Sequence, residues 1–507
     1  MASGNRGRLD ELQEEKSRLL AQRNQLLADL QDVDNRISQV STEYGRIHNE
    51  ALVLINKIPD EILHTILKAL KSSLTAKYRA EVTFSAVCSR WRRATLSFRD
   101  IWSNFRTALS SPSTHQLFIA CLERSGTNPL DLCFDFRAYG YEDLGDGFLL
   151  LQDALKNIHR WRSFTLISGV QTPVEYLAKR LKTAEAPLLE RLTIMSQPSY
   201  VFNPLAEPVS NRQSGAPTAF IGGAPRLEYV CLSNLSVTTC LAPLSSITDL
   251  RLDLPEKLEG DWIPFDVFLS VLRLPHLTTL SLIGQPFPLL EGGVPNGLTI
   301  DMPSLKHLRH ATRERSDFSK FILPNIRAPK LATLTLKDFR NPTVVTHWVP
   351  SNVVPFPALK TLTLIDYNKY HSPFSLKLAE LTSNISTLVV SDREKHFGPK
   401  GRVQGNTQDS FTVGWKDIKN LALNTYQLRE TLCDFIQTRP KLRVLLIANI
   451  WTPKWLNNHD WLEGGRKLKV WEWIGRTEAD KSLGPWPPGS PNDYLVDDPF
   501  HFKYCMG

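Results

Sequence analysis

One short pattern recurs through most of the chain and limits what it can fold into. A proline is followed by any residue, a leucine, two further residues, an aliphatic residue, one residue and a second aliphatic residue. The clearest copies are APLLERLTI at 186, APRLEYVCL at 224, LPHLTTLSL at 274, MPSLKHLRH at 302, APKLATLTL at 328, FPALKTLTL at 356 and RPKLRVLLI at 439, and the weaker ones are SITDLRL, NISTLVV and DIKNLAL. Most successive copies are about 20 to 33 residues apart, a period typical of stacked structural repeats. Each copy therefore predicts a short strand whose alternate residues enter a core.

In its period and its Leu-x-x-Leu-x-Leu core the pattern resembles the leucine-rich repeat. The resemblance implies an α/β fold: an irregular solenoid whose parallel strands line a concave face and whose core becomes continuous only on stacking. The proline before each strand would stop the preceding helix or turn without removing a ladder hydrogen bond. NIHRWRSFTLIS at 157, with Trp161, Phe164 and Leu166, looks like an entry repeat. The alternative is a compact α/β domain with coincidental leucine spacing.

The residues that alternate with the aliphatic positions predict a binding face, because successive side chains of a strand point to opposite sides. We expect this face to take a protein substrate, since it mixes charge signs and small polar groups. The alternative is that these positions are merely solvated, and we expect surface substitutions there to leave the fold intact. The candidate substrate-face residues are Asp249, Arg251, Asp253, Thr279, Ser281, His307, Arg309, Thr333, Thr335, Lys337, Thr361, Thr363, Asn420 and Asn424.

The first 54 residues show a second period, of seven. One series of the heptad is Leu12, Leu19, Leu26, Val33, Val40, Ile47 and Leu54, and its partner series is Leu9, Leu30, Ile37, Tyr44 and Ala51, interrupted by Lys16 and Arg23. This seam predicts a coiled-coil helix. The two basic residues favour a coiled coil of few helices, because their aliphatic stems can reach solvent in a dimer. Self-association into a homodimer and a single helix folded back on the body of the protein are both open.

Between the heptads and the repeats, three short blocks occur in order. Ile58-Pro59-Asp60-Glu61-Ile62-Leu63 reads as a helix start, since proline suits the first turn and acidic residues suit the positive end of a helix. Ile66 and Leu67 extend its apolar face. A second helical run from about Ala80 to Leu96 would place Phe84, Val87, Cys88 and Trp91 on one stripe, and Ile101-Trp102 closes a bundle of marginal size.

These blocks resemble the F-box motif, in which Leu-Pro-x-Glu-(Ile/Leu)-Leu is followed by Val-Cys-(Arg/Lys)-x-Trp and by an aliphatic residue before a tryptophan. Ile58 replaces the usual leucine, and the connection KSSLTAKYRAEVT is longer than in the minimal motif. A coiled coil leading into such a box also resembles the F-box-like proteins expanded in fungi. The resemblance implies a surface that binds a Skp-type adaptor and, through it, a cullin. The implied adaptor-binding residues are Ile58, Pro59, Glu61, Ile62, Leu63, Ile66 and Leu67, and the implied core residues are Val87, Cys88, Trp91, Ile101 and Trp102.

Composition narrows the remaining function classes. The 507 residues have a net charge of +8, but the basic residues are scattered, so we expect no nucleic-acid partner. The seven cysteines form no CxxC pair, which argues against a zinc site and a disulfide framework. The polar N-terminus and the lack of a long apolar run predict no signal peptide and no membrane partner, and hence a cytoplasmic or nuclear protein.

No catalytic motif such as GxSxG, a Walker loop, GxGxxG or HExxH occurs, so we expect neither an enzyme nor a cofactor. The predicted organisation is a coiled-coil helix over 1–54, an F-box-like unit over 55–105, a leucine-rich-repeat-like solenoid over 106–475 and a C-terminal cap or loose tail over 476–507. The predicted function is substrate recognition for a Skp-cullin-F-box type ubiquitin ligase in the ubiquitin-like conjugation pathway. The alternative is a structural scaffold that mediates protein–protein interaction without ubiquitination.

Overall fold

The protein was analysed as a computed structural model, which divides into two compact units, Met1–Trp102 and Ser103–Gly507. The predicted tail at 476–507 lies outside the described residues. The structure describes residues 2–52, 58–73, 80–107, 113–137, 144–196, 218–233, 235–253, 263–284, 287, 298–311, 322–337, 356–365, 378–391, 414–424, 436–448 and 469–473.

In its described residues, the first unit contains one long helix and four short ones. Helix α1, Ala2–Leu52, has 51 residues and confirms the long N-terminal helix. The short helices are α2 (Asp60–Ser73), α3 (Ala80–Ser85), α4 (Ser89–Ser97) and α5 (Arg99–Trp102). Helices α3, α4 and α5 contact α2 or one another and form a small bundle with it.

The prediction of a single helix over about 80–96 is wrong, because the helix is interrupted between α3 and α4. Cys88 has extended backbone angles, φ −159° and ψ 172°, which no helical residue adopts. Its sulfur accepts a hydrogen bond from the Trp91 amide at 3.5 Å and so caps α4. Cys88 is therefore a half-buried helix cap rather than a member of an apolar stripe.

The second unit is a series of strands, with α-helices described between several of the strands up to the one at Thr279–Ile283. Its strands are β1 (Asn104–Arg106), β2 (Leu130–Phe136), β3 (Trp161–Ser168), β4 (Arg191–Ser196), β5 (Tyr229–Ser233), β6 (Asp249–Asp253), β7 (Thr279–Ile283), β8 (Ile300–Asp301), β9 (His307–Ala311), β10 (Ile326–Arg327), β11 (Thr333–Lys337), β12 (Thr361–Ile365), β13 (Thr387–Ser391), β14 (Asn420–Asn424), β15 (Val444–Ala448) and β16 (Lys469–Trp473). Its α-helices are α6 (Ser113–Ser125), α7 (Leu144–Lys156), α8 (Thr172–Leu181), α9 (Leu235–Thr239) and α10 (Phe265–Leu272).

Fourteen of these strands form one parallel sheet in chain order, and only β8 and β10 pair separately. Each copy of the sequence pattern contributes one strand: the ten copies are β4 to β7, β9 and β11 to β15. Equivalent residues of neighbouring copies are in register, as with Leu334 opposite Leu308 and Leu362. This confirms an α/β fold with a large parallel sheet, compatible with a solenoid.

The proline of each clear copy has a local role that differs from the expected one. The proline is the second residue of a four-residue turn. In this turn the amide of the first leucine of the Leu-x-x-Leu-x-Leu core donates to the carbonyl of the residue three positions earlier. The amide of Leu189 donates to the Ala186 carbonyl at 3.1 Å, and Leu331 to that of Ala328 at 3.1 Å. Proline suits the second position of such a turn because its φ is fixed near the required angle. The turn therefore sets the direction in which each strand starts.

The core lies on one face of the sheet and is built from the repeated aliphatic positions. Leu280, Leu308, Leu334 and Leu362 are each 0% exposed. Fully burying a leucine side chain contributes about 1.5–3 kcal/mol, so the stacked leucines supply much of the stability of the second unit.

His310 is the one histidine among these leucine positions in the described strands, between Leu282 and Leu336 in the register. Burial lowers the pKa of His310 from 6.5 to about 3, against a smaller opposing effect of a backbone hydrogen bond with Leu282. The unfolded chain takes up a proton below about pH 6.5 while the folded chain does not, so stability is lost as pH falls from 6.5 towards 3.

We predict that His310→Leu makes the protein less sensitive to acid. Because His310 stays neutral in the folded chain, the free energy of unfolding should be about 2 kcal/mol lower at pH 5 than at pH 7. Denaturant unfolding of the second unit at pH 7 and pH 5 measures this loss, and the variant should lose correspondingly less. The exposed His276 gives a control, His276→Gln, that should keep the wild-type dependence. An unchanged pH dependence in His310→Leu would show that His310 is not the acid-sensitive group.

Candidate functional site

Helix α2 has an inner and an outer apolar side. Leu63 and Leu67 are each 0% exposed and form part of the bundle core, so the expectation that they contact an adaptor is wrong in this respect. Ile62 is 51% exposed and Leu70 is 39% exposed, with the half-buried Ile66 between them at a spacing of four residues. Residues four apart lie on one helix face, so these three form an apolar stripe on the outside of α2.

The start of α2 is fixed by Arg90 from α4. Its guanidinium donates to the Asp60 carboxylate at 2.9 Å and to the Ile58 carbonyl. The Pro59 carbonyl accepts from the amides of Ile62 and Leu63 at 3.1 and 3.0 Å. Pro59 and Glu61 are exposed beside these contacts. The predicted motif residues 58–62 therefore surround one ordered, largely exposed helix start.

Three of the five predicted core residues lie in the bundle core. Trp91, Ile101 and Trp102 are buried, and the Trp102 indole donates to the Thr95 carbonyl at 2.8 Å. The prediction for Val87 is wrong: it follows α3 outside any helix and is 57% exposed. The interruption of the helix at Cys88 is the reason, because it turns Val87 out of the stripe that one continuous helix would form.

The bundle thus exposes several large apolar side chains. They are Ile62, Leu70, Val82, Val87 and Leu96. Single exposed apolar residues are normal, but a helix stripe of this kind can bury against a partner helix or groove.

The second candidate surface is the sheet face opposite the leucines, here termed the polar face. The alternation holds, but the expected exposure does not. Arg251, Arg309 and Lys337 are 4%, 2% and 5% exposed, and Thr279, Ser281, Thr335 and Thr363 are also buried. Long side chains on strands in direct register shield one another across neighbouring positions. Substitution of the three cations would therefore not be the neutral surface change that the sequence predicts.

The buried polar residues make specific contacts across neighbouring strands. The Arg309 guanidinium donates to the Ser281 hydroxyl at 2.6 Å. The guanidinium carbons of Arg191 and Arg251 lie 4.4 and 5.2 Å from the centre of the Tyr229 ring. Sequence reasoning missed Arg191 and Tyr229, although both stand at the same place in their copies as Asp249.

Cys231 lies beside Arg251 in the register of the polar face. Burial raises the pKa of the Cys231 thiol to about 11, with smaller opposing effects of Arg251 and Arg309. The thiol is therefore protonated at neutral pH, and a protonated thiol is a poor nucleophile.

On the polar face of the described repeats, most residues at the strand starts, here termed the start column, remain partly accessible, although Tyr229 and Thr279 are buried. Asp249, His307, Thr333, Thr361 and Asn420 are half-buried there. The His307 ring Nδ1 lies 2.9 Å from the Thr333 hydroxyl, and burial together with Lys306 lowers the pKa of His307. Asp253 is half-buried at the other end of its strand, whereas the side chain of Asn424 lies outside the described residues. A partner would meet hydrogen-bonding groups along the start column.

Nothing in the described part of the chain forms a metal site, since no three His, Cys, Asp or Glu side chains are grouped suitably. Among the described helices, none has both the length and the apolar character needed to cross a membrane. No family model matches the sequence, and no curated protein is similar enough to count as a relative.

Proposed function

We propose that the protein is a substrate-recognition adaptor of a Skp-cullin-F-box type ubiquitin ligase. The observation that supports this best is the apolar stripe on the outside of α2, which begins at the exposed Ile62, on an otherwise folded small bundle. The stripe begins within the Ile-Pro-Asp-Glu-Ile-Leu block that resembles the F-box motif. In this proposal Ile62, Ile66 and Leu70 bury against a Skp-type adaptor, with Ile58, Pro59 and Glu61 at the edge of the contact.

The large parallel sheet is proposed to be an irregular leucine-rich-repeat-like solenoid that holds the substrate. The start column of the polar face offers Asp249, His307 and Thr333 as hydrogen-bonding groups for a protein. The chain itself performs no chemistry in this scheme. It raises the effective concentration of the substrate near a ubiquitin-loaded enzyme, and the gain depends on the distance between the two sites.

A second candidate function is a scaffold that uses α1 and the repeats for assembly without ubiquitination. The exposed seam of α1, with Leu26 at 61% and Val40 at 68% exposure, favours some form of helix pairing. The two functions differ in one measurable respect. A ligase adaptor copurifies with a Skp-type adaptor and a cullin together, whereas a scaffold copurifies without the cullin.

We predict that Ile62→Asp weakens binding to a purified Skp-type adaptor at least about thirtyfold without unfolding the bundle. A carboxylate at this position would be desolvated and unpaired in the interface. Loss of such an anchor costs about 2 kcal/mol or more, which is roughly a thirtyfold loss of affinity. Biolayer interferometry with immobilised full-length protein measures the affinity.

The matched control is Lys68→Glu, which also adds negative charge to α2 but on another side of the helix, where Lys68 is exposed. It should bind as the wild type does. A wild type that does not bind the adaptor, or an Ile62→Asp variant that binds normally, would contradict the proposed function.

A further inference from the structure

The apolar seam of α1 is uncovered along its whole described length. All ten apolar seam residues from 9 to 47 are between 48% and 70% exposed. They are Leu9, Leu12, Leu19, Leu26, Leu30, Val33, Ile37, Val40, Tyr44 and Ile47. Exposed apolar surface of this extent on one helix is typical of an unfilled helix–helix interface.

Charged residues flank this seam, and they determine which pairing is favourable. Asp29, Arg36 and Glu43 each stand one residue before a seam residue, in the heptad position that faces the partner helix across the edge of the seam. Lys16 and Arg23 occupy the seam itself. All five side chains are exposed in the single chain.

A parallel pair in register is disfavoured by these charges. It would place Lys16 against Lys16 and Arg23 against Arg23 of the second copy. It would also place Asp29 beside Asp34 of the second copy. In a parallel pair, a residue that flanks the seam on one side faces the residue five positions later on the partner helix. Like charges held opposite one another destabilise a helix pair.

An antiparallel pair that overlaps over the whole helix removes each of these conflicts. Its central layer sets Leu30 opposite Val33. Arg23 then faces Val40 of the second copy, beside Glu43. Asp29 meets Arg36 of the second copy, and by symmetry this ion pair forms twice.

The register is also specified by these charges. A shift by one heptad in one direction would bring Asp29 against Asp29, and a shift in the other direction would bring Arg36 against Arg36. Full overlap therefore combines the longest seam with opposite charges at Asp29 and Arg36 near its centre, whereas Glu15 and Glu50 meet as like charges near the helix ends. Within one helix Asp29 accepts a hydrogen bond from the Gln25 side-chain amide at 2.9 Å, and this exposed contact leaves the charge of Asp29 available to a partner.

We propose that α1 is a dimerisation helix that pairs with α1 of a second copy in antiparallel, fully overlapping register. The inference does not rest on the proposed ligase function. A 51-residue helix is about 75 Å long at 1.5 Å per residue. In such a dimer the two chains therefore continue beyond residue 52 from opposite ends of the rod.

The test is sedimentation equilibrium of the full-length protein and of two single charge reversals, Asp29→Arg and Arg36→Asp. Each reversal turns both symmetric ion pairs into repulsions, so each should weaken the dimer about tenfold. A mixture of the two variants should recover the wild-type affinity, because both flanking pairs are again opposite in charge in the heterodimer. Circular dichroism verifies that each variant keeps its helix content.

The matched control is Asp32→Arg, the same charge change at a heptad position that points away from the seam, and its dimer should be as strong as the wild type. A parallel dimer predicts the opposite sign for Asp29→Arg, because the variant would relieve the repulsion with Asp34 and tighten the dimer. A monomeric wild type at micromolar concentration, a tighter or unchanged Asp29→Arg dimer, or a mixture that stays weak would each overturn the proposal.

Discussion

Phe134→Ala is expected to destabilise the start of the repeat sheet by about 4 kcal/mol, the usual cost of deleting a buried aromatic ring. Phe134 on β2 is 0% exposed. Its ring centre lies 5.6 Å from that of Phe118 in an edge-to-face arrangement, 5.8 Å from that of Phe164 and 6.1 Å from that of Phe105. The variant therefore loses aromatic contacts with α6, β1 and β3 together, in addition to the buried area.

The loss should be local, because stacked repeats are stabilised mainly by their immediate neighbours. Amide hydrogen exchange should accelerate roughly a thousandfold in β1, β2 and β3 and much less in β11 and β12. The exposed Leu149 on α7 supplies the control, and Leu149→Ala should change exchange little. Uniform acceleration across the whole sheet would show that the unit unfolds as one body and would contradict the local picture.

The strands were predictable because the same short sequence pattern recurs in every copy. Each copy carries a turn-forming proline and aliphatic residues at a period of two, so local preference and burial agree. All ten copies became parallel strands in register, and the entry segment with Trp161 and Phe164 became β3. The role of proline in the turn was not predictable, because the pattern shows where it stands but not which carbonyl accepts the leucine amide.

Exposure on the polar face could not be predicted from alternation. A period of two decides which side of a sheet a residue faces, and this was correct for Arg251 and Arg309. It does not decide whether that side is covered, because burial depends on residues distant in sequence, such as Tyr229 on the neighbouring strand. The half-buried start column is therefore a structural finding.

The orientation of α2 was likewise beyond the sequence. Its apolar residues at 62, 63, 66, 67 and 70 cover a stripe wide enough to meet two surfaces at once. Periodicity gives the stripe but not which edge faces the bundle, because that depends on where α4 and α5 lie. The structure assigns Leu63 and Leu67 to the core, and leaves Ile62 and Leu70 outside.

Leu63→Asp is consequently expected to unfold the bundle, not merely to weaken binding to a partner. The change removes a side chain that is 0% exposed and puts a carboxylate in its place. The lost packing and the buried charge together cost about 4 kcal/mol or more. A core of this size rarely supplies more than about 3–5 kcal/mol, so α2 to α5 should be largely unfolded at room temperature.

Limited proteolysis over residues 58–102 measures this loss, with protection of β4 to β14 as the internal reference. The matched variant is Ile62→Asp, which places the same carboxylate one residue earlier, on the 51% exposed outer side of α2. Its bundle should stay as resistant as the wild type, because the charge remains hydrated. Equal protease resistance of the two variants would contradict the assignment of Leu63 to the core and Ile62 to the surface. A clear difference between adjacent positions separates the residues that fold the bundle from those available to a partner.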